Sequence, residues 1–277
     1  MHTLKKYCLI LVLFFISFSA NALAPPVEVK VESTWEGAQA EDVKAVLEST
    51  ITAVAPYLGS RTLKPIIVRN DTDGPISLYK KGSRGEYIVK LDVRGRYWAQ
   101  MGYQFSHELC HLLSNYDLAP GNVTRQQWFE ESLCEAFSLF ALERLAALWQ
   151  EQPPYDNWKS YAPEFKKYAA NMKRERHRSF APRLSEWYRH QRVTLESDPY
   201  AKERRLNEKM ASHLLAVFSK NPQRWAAINY INLGENDKNM SMREYISDWY
   251  RYAPADLKAP IIEIEQMLGI SNIATND

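Results

Sequence analysis

The spacing of apolar residues changes once along this 277-residue chain, near Arg94, and that change limits the folds open to it. Before Arg94 the apolar runs are strand-like. Val27, Val29 and Val31 alternate, and "KPIIVRN" (64–70) and "EYIVKLDV" (86–93) are short runs rich in β-branched residues. "ISLYK" leads into a Gly/Ser/Lys-rich stretch, 80–85, that reads as a hairpin turn before "EYIVKLDV". One helix interrupts this half: Val43, Val46, Leu47, Ile51, Val54 and Leu58 recur at helical spacing until Gly59 offers a stop. After Arg94 the pattern predicts helices over 97–115, 125–150, about 158–177, 183–196, 199–219, 222–232, 241–251 and 255–268. Pro153-Pro154 breaks the series, Asp198-Pro199 supplies a cap and a first-turn proline, and Ser241 with Glu244 spells a capping box. The fold class is therefore α+β. A small N-terminal α/β lobe with a short mixed sheet (23–95) precedes a helical core (96–152) and a C-terminal helical lobe (153–277). There is no internal repeat and no low-complexity tract.

Residues 1–22 are set apart from these lobes. Lys5 and Lys6 precede an apolar run from Tyr7 to Phe18, and Ala20-Asn21-Ala22 places small residues where a signal peptidase reads them. The run is shorter than the roughly 18 to 20 residues that span a bilayer. The expectation is a cleaved leader, a secreted or periplasmic protein, and no membrane span once the leader is gone. Two of the 35 Lys+Arg fall in the leader, against 33 Asp+Glu in the whole chain, so the remainder is about neutral and no nucleic-acid partner is expected. The densest basic run, "KRERHR" (173–178), contains its own glutamate and reads as a solvated helix face.

Inside the first predicted helix after Arg94 stands "HELCH", His107 to His111. Wound at about 100° per residue, Trp98, Met101, Phe105, Leu109 and Leu112 form one stripe, and His107 and His111 fall together on the opposite side. Two imidazoles one turn apart, with the Glu108 carboxylate beside them, make the arrangement that zinc binding by H-E-x-x-H requires. Such a motif arises by chance in about one chain of this length in a hundred, so a third ligand matters. "WFEESLCEAFSLFALERL" (128–145) reads as a second amphipathic helix. It buries Phe129, Leu133, Ala136, Phe137 and Phe140 and turns Glu131 and Glu135 to the other face. Glu131 is the expected ligand, and Glu130 its rival. Glu135, one turn on, is placed to accept the second N–H of a ligating histidine.

At these residues the chain resembles the gluzincin clan of zinc metallopeptidases, the thermolysin-like and M1-aminopeptidase-like group. "HELCH" and "WFEESLCEAFS" are similar to its HExxH helix and its downstream ligand helix, and the likeness covers about residues 98–145. It implies that His107, His111 and Glu131 hold Zn2+, that Glu108 is the general base, that Glu135 supports a ligand, and that the substrate is a peptide or protein. It also puts "EYIVKLDV" in the place of the edge strand along which substrate lies. No G-x-M-E-N-like stretch precedes the helix, so the resemblance does not imply an aminopeptidase. "PYAKE" (199–203) is only weakly similar to the clan's Y-x-K segment, which leaves Tyr200, His177, His190 and His213 as alternative transition-state donors.

Two readings compete: a zinc peptidase, and a zinc-stabilised binding protein that kept the scaffold without turnover. The intact Glu108 favours the first, since structure alone needs only ligands. Outside the leader the cysteines are Cys110 and Cys134, one on each ligand helix. Export would let them bridge; otherwise they pack as buried thiols.

Overall fold

The apolar runs before Arg94 assemble into a four-stranded mixed sheet. Its strands are β1 (Val29–Val31), β2 (Ile66–Asn70), β3 (Ile76–Leu78) and β4 (Tyr87–Leu91), in the order β1-β2-β4-β3. The structure is a computed structural model that describes residues 27–32, 34–118, 124–179, 183–198, 204–234 and 237–270. β1 and β4 both run parallel to β2, which places Val29 and Tyr87 opposite Ile66. β3 is antiparallel to β4, with Leu78 opposite Ile88.

This order corrects one expectation, because "EYIVKLDV" lies inside the sheet and the edge strand is β3. β4 buries consecutive side chains, Ile88 and Val89, as a strand with neighbours on both sides does. The turn between them folds β3 onto the remaining side of β4: Gly82 N–H donates to the Glu86 carbonyl and Gly85 adopts a φ of 84°.

The helices are α1 (Ala40–Val54), α2 (Trp98–Leu113), α3 (Gln127–Glu151), α4 (Ala162–Lys173), α5 (Leu184–Ser197), α6 (Arg204–Ser219), α7 (Met242–Tyr252) and α8 (Lys258–Leu268). α3 differs from the amphipathic helix expected. It packs against α1, α2, α4 and α6. Every residue from Ser132 to Leu142 is consequently buried, whichever way it faces. Gly102 is where α2 and α3 come close: a Cβ there would meet Leu145 Cδ1 at 2.7 Å.

Two predicted helices are not α-helical throughout. Pro222–Tyr230 is a 3-10 helix whose first turn is capped by the Asn221 side chain. The 158–177 stretch divides into a 3-10 turn (Asp156–Tyr161), α4, and a second 3-10 turn (Arg176–Arg178). The Ser241–Glu244 capping box forms as spelled, each side chain bonding the other residue's main chain. Asp198-Pro199 and the leader extend beyond the described residues. Buried apolar side chains from Val29 to Leu268 form one continuous cluster joining the sheet to the helices. No helix among the described residues is long and apolar enough to cross a membrane.

Candidate metal centre

α2 presents His107 and His111 one turn apart, their ring centroids separated by 5.0 Å. Across from them α3 presents Glu131. Its Oε2 lies 3.1 Å from His107 Nε2 and its Oε1 3.5 Å from His111 Nε2, so both imidazoles turn the same nitrogen towards one carboxylate. Ligand atoms of the three residues all fall within 4.8 Å of one another, a donor set of two imidazoles and one carboxylate that fits a divalent metal ion. The helix faces read from the sequence thus bring His107, His111 and Glu131 together.

Behind His111 stands Glu130. Its Oε1 is 2.8 Å from His111 Nδ1 and also accepts from Ser114 Oγ at 2.7 Å, while its Oε2 accepts from Asn232 Nδ2 at 2.8 Å. An ionised carboxylate can only accept, so the proton sits on Nδ1 and Nε2 is left for a ligand when the ring is neutral. Asn232 is held in turn by the Tyr245 hydroxyl, which donates to its Oδ1 at 2.8 Å. Asn115 and Asn232 both adopt a φ of 61°, a conformation asparagine tolerates better than most residues. In it Asn115 Nδ2 reaches the carbonyls of Asn229 and Ile231, which ties the end of α2 to this distant segment.

The His107 side is built differently. Glu135, expected as the acceptor behind a histidine, lies 4.0 Å from His107 Nδ1, beyond hydrogen-bond reach. It accepts instead from the Tyr103 hydroxyl and from Arg178 Nη2, the latter at 2.7 Å. Arg178 is buried and also reaches Glu175 at 3.1 Å and Glu208 at 3.6 Å. Of the two carboxylates flanking Glu131, the one touching a ligand histidine is therefore Glu130, which the sequence had offered as a rival ligand.

Glu108 is buried beside the triad, and Ser77 of β3 donates to its Oε2 at 2.8 Å. Burial raises the Glu108 pKa above the ordinary carboxylate value, against the opposing pull of His111, His107 and Ser77. Burial also opposes charge on His111, but Glu131 and Glu130 outweigh it and lift the imidazole well above its usual pKa. Glu131 shows the converse: burial would raise it, yet His111 and His107 hold it well below the carboxylate range. Without metal the pair forms an internal salt link.

The triad opens into a cleft of about 300 Å³ that is also lined by Ile76 and Ser77 of the edge strand, by Tyr79 just after it, and by Tyr116 in the 3-10 turn (Tyr116–Leu118) that follows α2. The Tyr116 hydroxyl donates to the Leu78 carbonyl at 2.6 Å, fixing β3 to the end of α2. Arg204, at the start of α6, lines the cleft as well. Two larger hollows, about 680 and 600 Å³, lie elsewhere and contain none of the triad.

His177, His190 and His213 do not line the cleft, and Tyr200 falls outside the described residues. His177 with Glu175 and Glu208 makes a second group of metal-ligand type, but Arg178 already places a cation against both carboxylates. Cys110 and Cys134 are buried free thiols in contact with each other at the α2–α3 interface, the packed alternative to a bridge. Burial and the neighbouring Cys110 push the Cys134 thiol well above its ordinary pKa. Its ligand atom also lies within 4.8 Å of those of His111 and Glu130, but those two already hydrogen-bond to each other at 2.8 Å.

Ser77, Ser114, Asn232, Tyr103, Arg178 and Arg204 were not singled out from the sequence. Tyr103 precedes His107 by one turn of α2, a spacing that could have marked it; the others, apart from Ser114, reach the site only through tertiary packing. No family model matches the chain, and no curated protein or solved structure matches it.

Proposed function

We propose that the chain is a zinc-dependent peptidase, exported by its leader, that hydrolyses peptide bonds in the cleft between β3 and α6. The observation that carries this reading is the grouping of His107, His111 and Glu131 with a separate carboxylate, Glu108, held on the same wall of one cleft. A structural metal site needs only its ligands; it has no use for a second carboxylate, Glu108, oriented by Ser77 at 2.8 Å.

His107, His111 and Glu131 would hold the zinc, which when bound would supply Lewis acidity. Glu108 accepts the proton of the attacking water and returns it to the leaving amine. Ser77 fixes the orientation of that carboxylate by its hydrogen bond. Glu130 holds the His111 ring so that its Nε2 faces Glu131.

The test joins the metal content of the purified protein to a peptide-library cleavage assay. The wild type should bind one zinc and cleave. Glu108→Gln, which keeps the shape but cannot take the proton, should keep the zinc and lose roughly a hundredfold or more in rate. Near-wild-type turnover by the metal-loaded variant would remove Glu108 from the mechanism, and a metal-loaded wild type that cleaves no library member would overturn the reading.

A further inference from the structure

We propose that Arg204 binds a carboxylate of the substrate, so that the peptides preferred by this cleft carry a negative charge near the bond to be cut. The inference rests on the peptidase reading and narrows its substrate class. The cleft that holds the triad is lined by Glu108 and Glu131, and Arg204 is its sole Lys or Arg among the described residues. Arg204 also lines the small adjoining hollow, with His107, Glu131, Glu135, Asn207 and Glu208. The two hollows share His107, Glu131 and Arg204, so Arg204 stands beside the candidate ligands in both.

Each described carboxylate that lines these two hollows with Arg204 is already engaged elsewhere, Glu108 by Ser77. Glu131 faces both histidines, Glu135 takes Tyr103 and Arg178, and Glu208 takes His177 and lies 3.6 Å from Arg178. Arg204 itself makes no hydrogen bond or ion pair with another described residue. The wall formed by Pro75, Ile76 and Tyr79 is mainly apolar. An extended peptide therefore meets an apolar surface on one side of the triad and a free guanidinium on the other. A guanidinium binds a carboxylate through two parallel hydrogen bonds, the strongest pairing such a rim offers.

The carboxylate could be a chain terminus or an acidic side chain, and matched peptides separate the two. Binding is measured by calorimetry on zinc-loaded Glu108→Gln protein, so that affinity is read without turnover. Three peptides of one core sequence are compared: free C-terminus, C-terminal amide, and amide with an aspartate beside the central bond. One of the two charged peptides should bind about tenfold or more tightly than the neutral amide. That preference should vanish when Arg204→Ala is added and return in part with Arg204→Lys. Added salt should weaken it. The charged peptide that loses its advantage identifies the source of the carboxylate. No preference for charge, or a preference that survives Arg204→Ala with unchanged zinc content, overturns the proposal. Carboxylate preference in a wild type that never cleaves would sink the peptidase reading alone, and cleavage without that preference would sink this inference alone.

Discussion

The two histidines of the candidate metal centre stand on unlike foundations. His111 is buried and directly hydrogen-bonded by Glu130, which Ser114 and Asn232 hold in place from the end of α2 and from the segment before α7. His107 is more open, and the carboxylate nearest its Nδ1 is 4.0 Å away and bound to Arg178 and Tyr103. The same residue type, glutamate on α3, thus acts on one side by contact with the ligand and on the other by bracing the helices around it. The His111 side sets a ring orientation; the His107 side sets the separation of α2, α3 and α6. Affinity for metal should be most sensitive on the first side, and stability on the second.

The largest expected effect tests the brace. Arg178→Met leaves Glu135 buried without its cation, and breaking one partner of such a pair costs about 3–5 kcal/mol. On the other side, Asn232→Gly keeps a residue that tolerates a φ of 61° and removes the hydrogen bonds to Glu130 and the Ser114 carbonyl and the one accepted from the Tyr245 hydroxyl. That loss should cost about 1–3 kcal/mol. Urea unfolding of both variants without metal compares them, and a larger loss in Asn232→Gly would invert the assignment of the two sides.

The next effect concerns the metal. Glu130→Gln should lower zinc affinity about 10 to 100-fold, because the neutral amide no longer stabilises the orienting contact to His111. Glu135→Gln should lower it less while destabilising the metal-free protein more. Competition against a chelator of known affinity measures the first difference and thermal unfolding the second. Equal losses of affinity would mean that contact with the histidine is not what distinguishes the two carboxylates.

How far the sequence reached follows from the same division. A helical wheel fixes which side chains share a face, which pairs His107 with His111. Glu131 does meet them, although the reason for preferring it to Glu130, Glu135 as acceptor behind a histidine, does not hold. The wheel does not say which nitrogen of an imidazole faces which neighbour. Glu130 stands one residue from the ligand face, and only the roll of α3 against α2 reveals that it meets His111 Nδ1. Arg178 was read as part of a solvated basic run because its neighbours are polar; it is buried because a short 3-10 turn after α4 directs it beneath Glu135. The strand order was hidden for a related reason. An apolar run such as "EYIVKLDV" marks a buried strand, but not which neighbours it takes, and here the hairpin supplies one of them. The change from strand-like to helical spacing near Arg94, which sets the α+β class, is a local pattern and was legible, although the stretches at 156–161, 176–178 and 222–230 are 3-10 helix where α-helix was read.

The smallest effect belongs to the wall that both histidines face. β3 is carried by the β3–β4 turn, where Glu86 is held by its own N–H, by the Arg84 side chain and by the Arg84 N–H, the last two at 2.9 and 2.8 Å. These contacts bring its pKa down to about 2. A carboxylate lowered in the folded state stabilises fully above its unfolded pKa of about 4.3 and loses that contribution as pH falls towards the folded value. NMR titration of the Glu86 carboxyl should accordingly give a midpoint near 2; one near the unfolded value would show that the turn does not depend on this charge. Glu86→Gln should loosen the turn and leave zinc affinity unchanged, since no atom of Glu86 touches a ligand or either glutamate behind them. A measurable fall in affinity would make the hairpin a third support of the metal centre, with Ser77 on Glu108 and the Leu78 carbonyl on Tyr116 as the links that carry the effect.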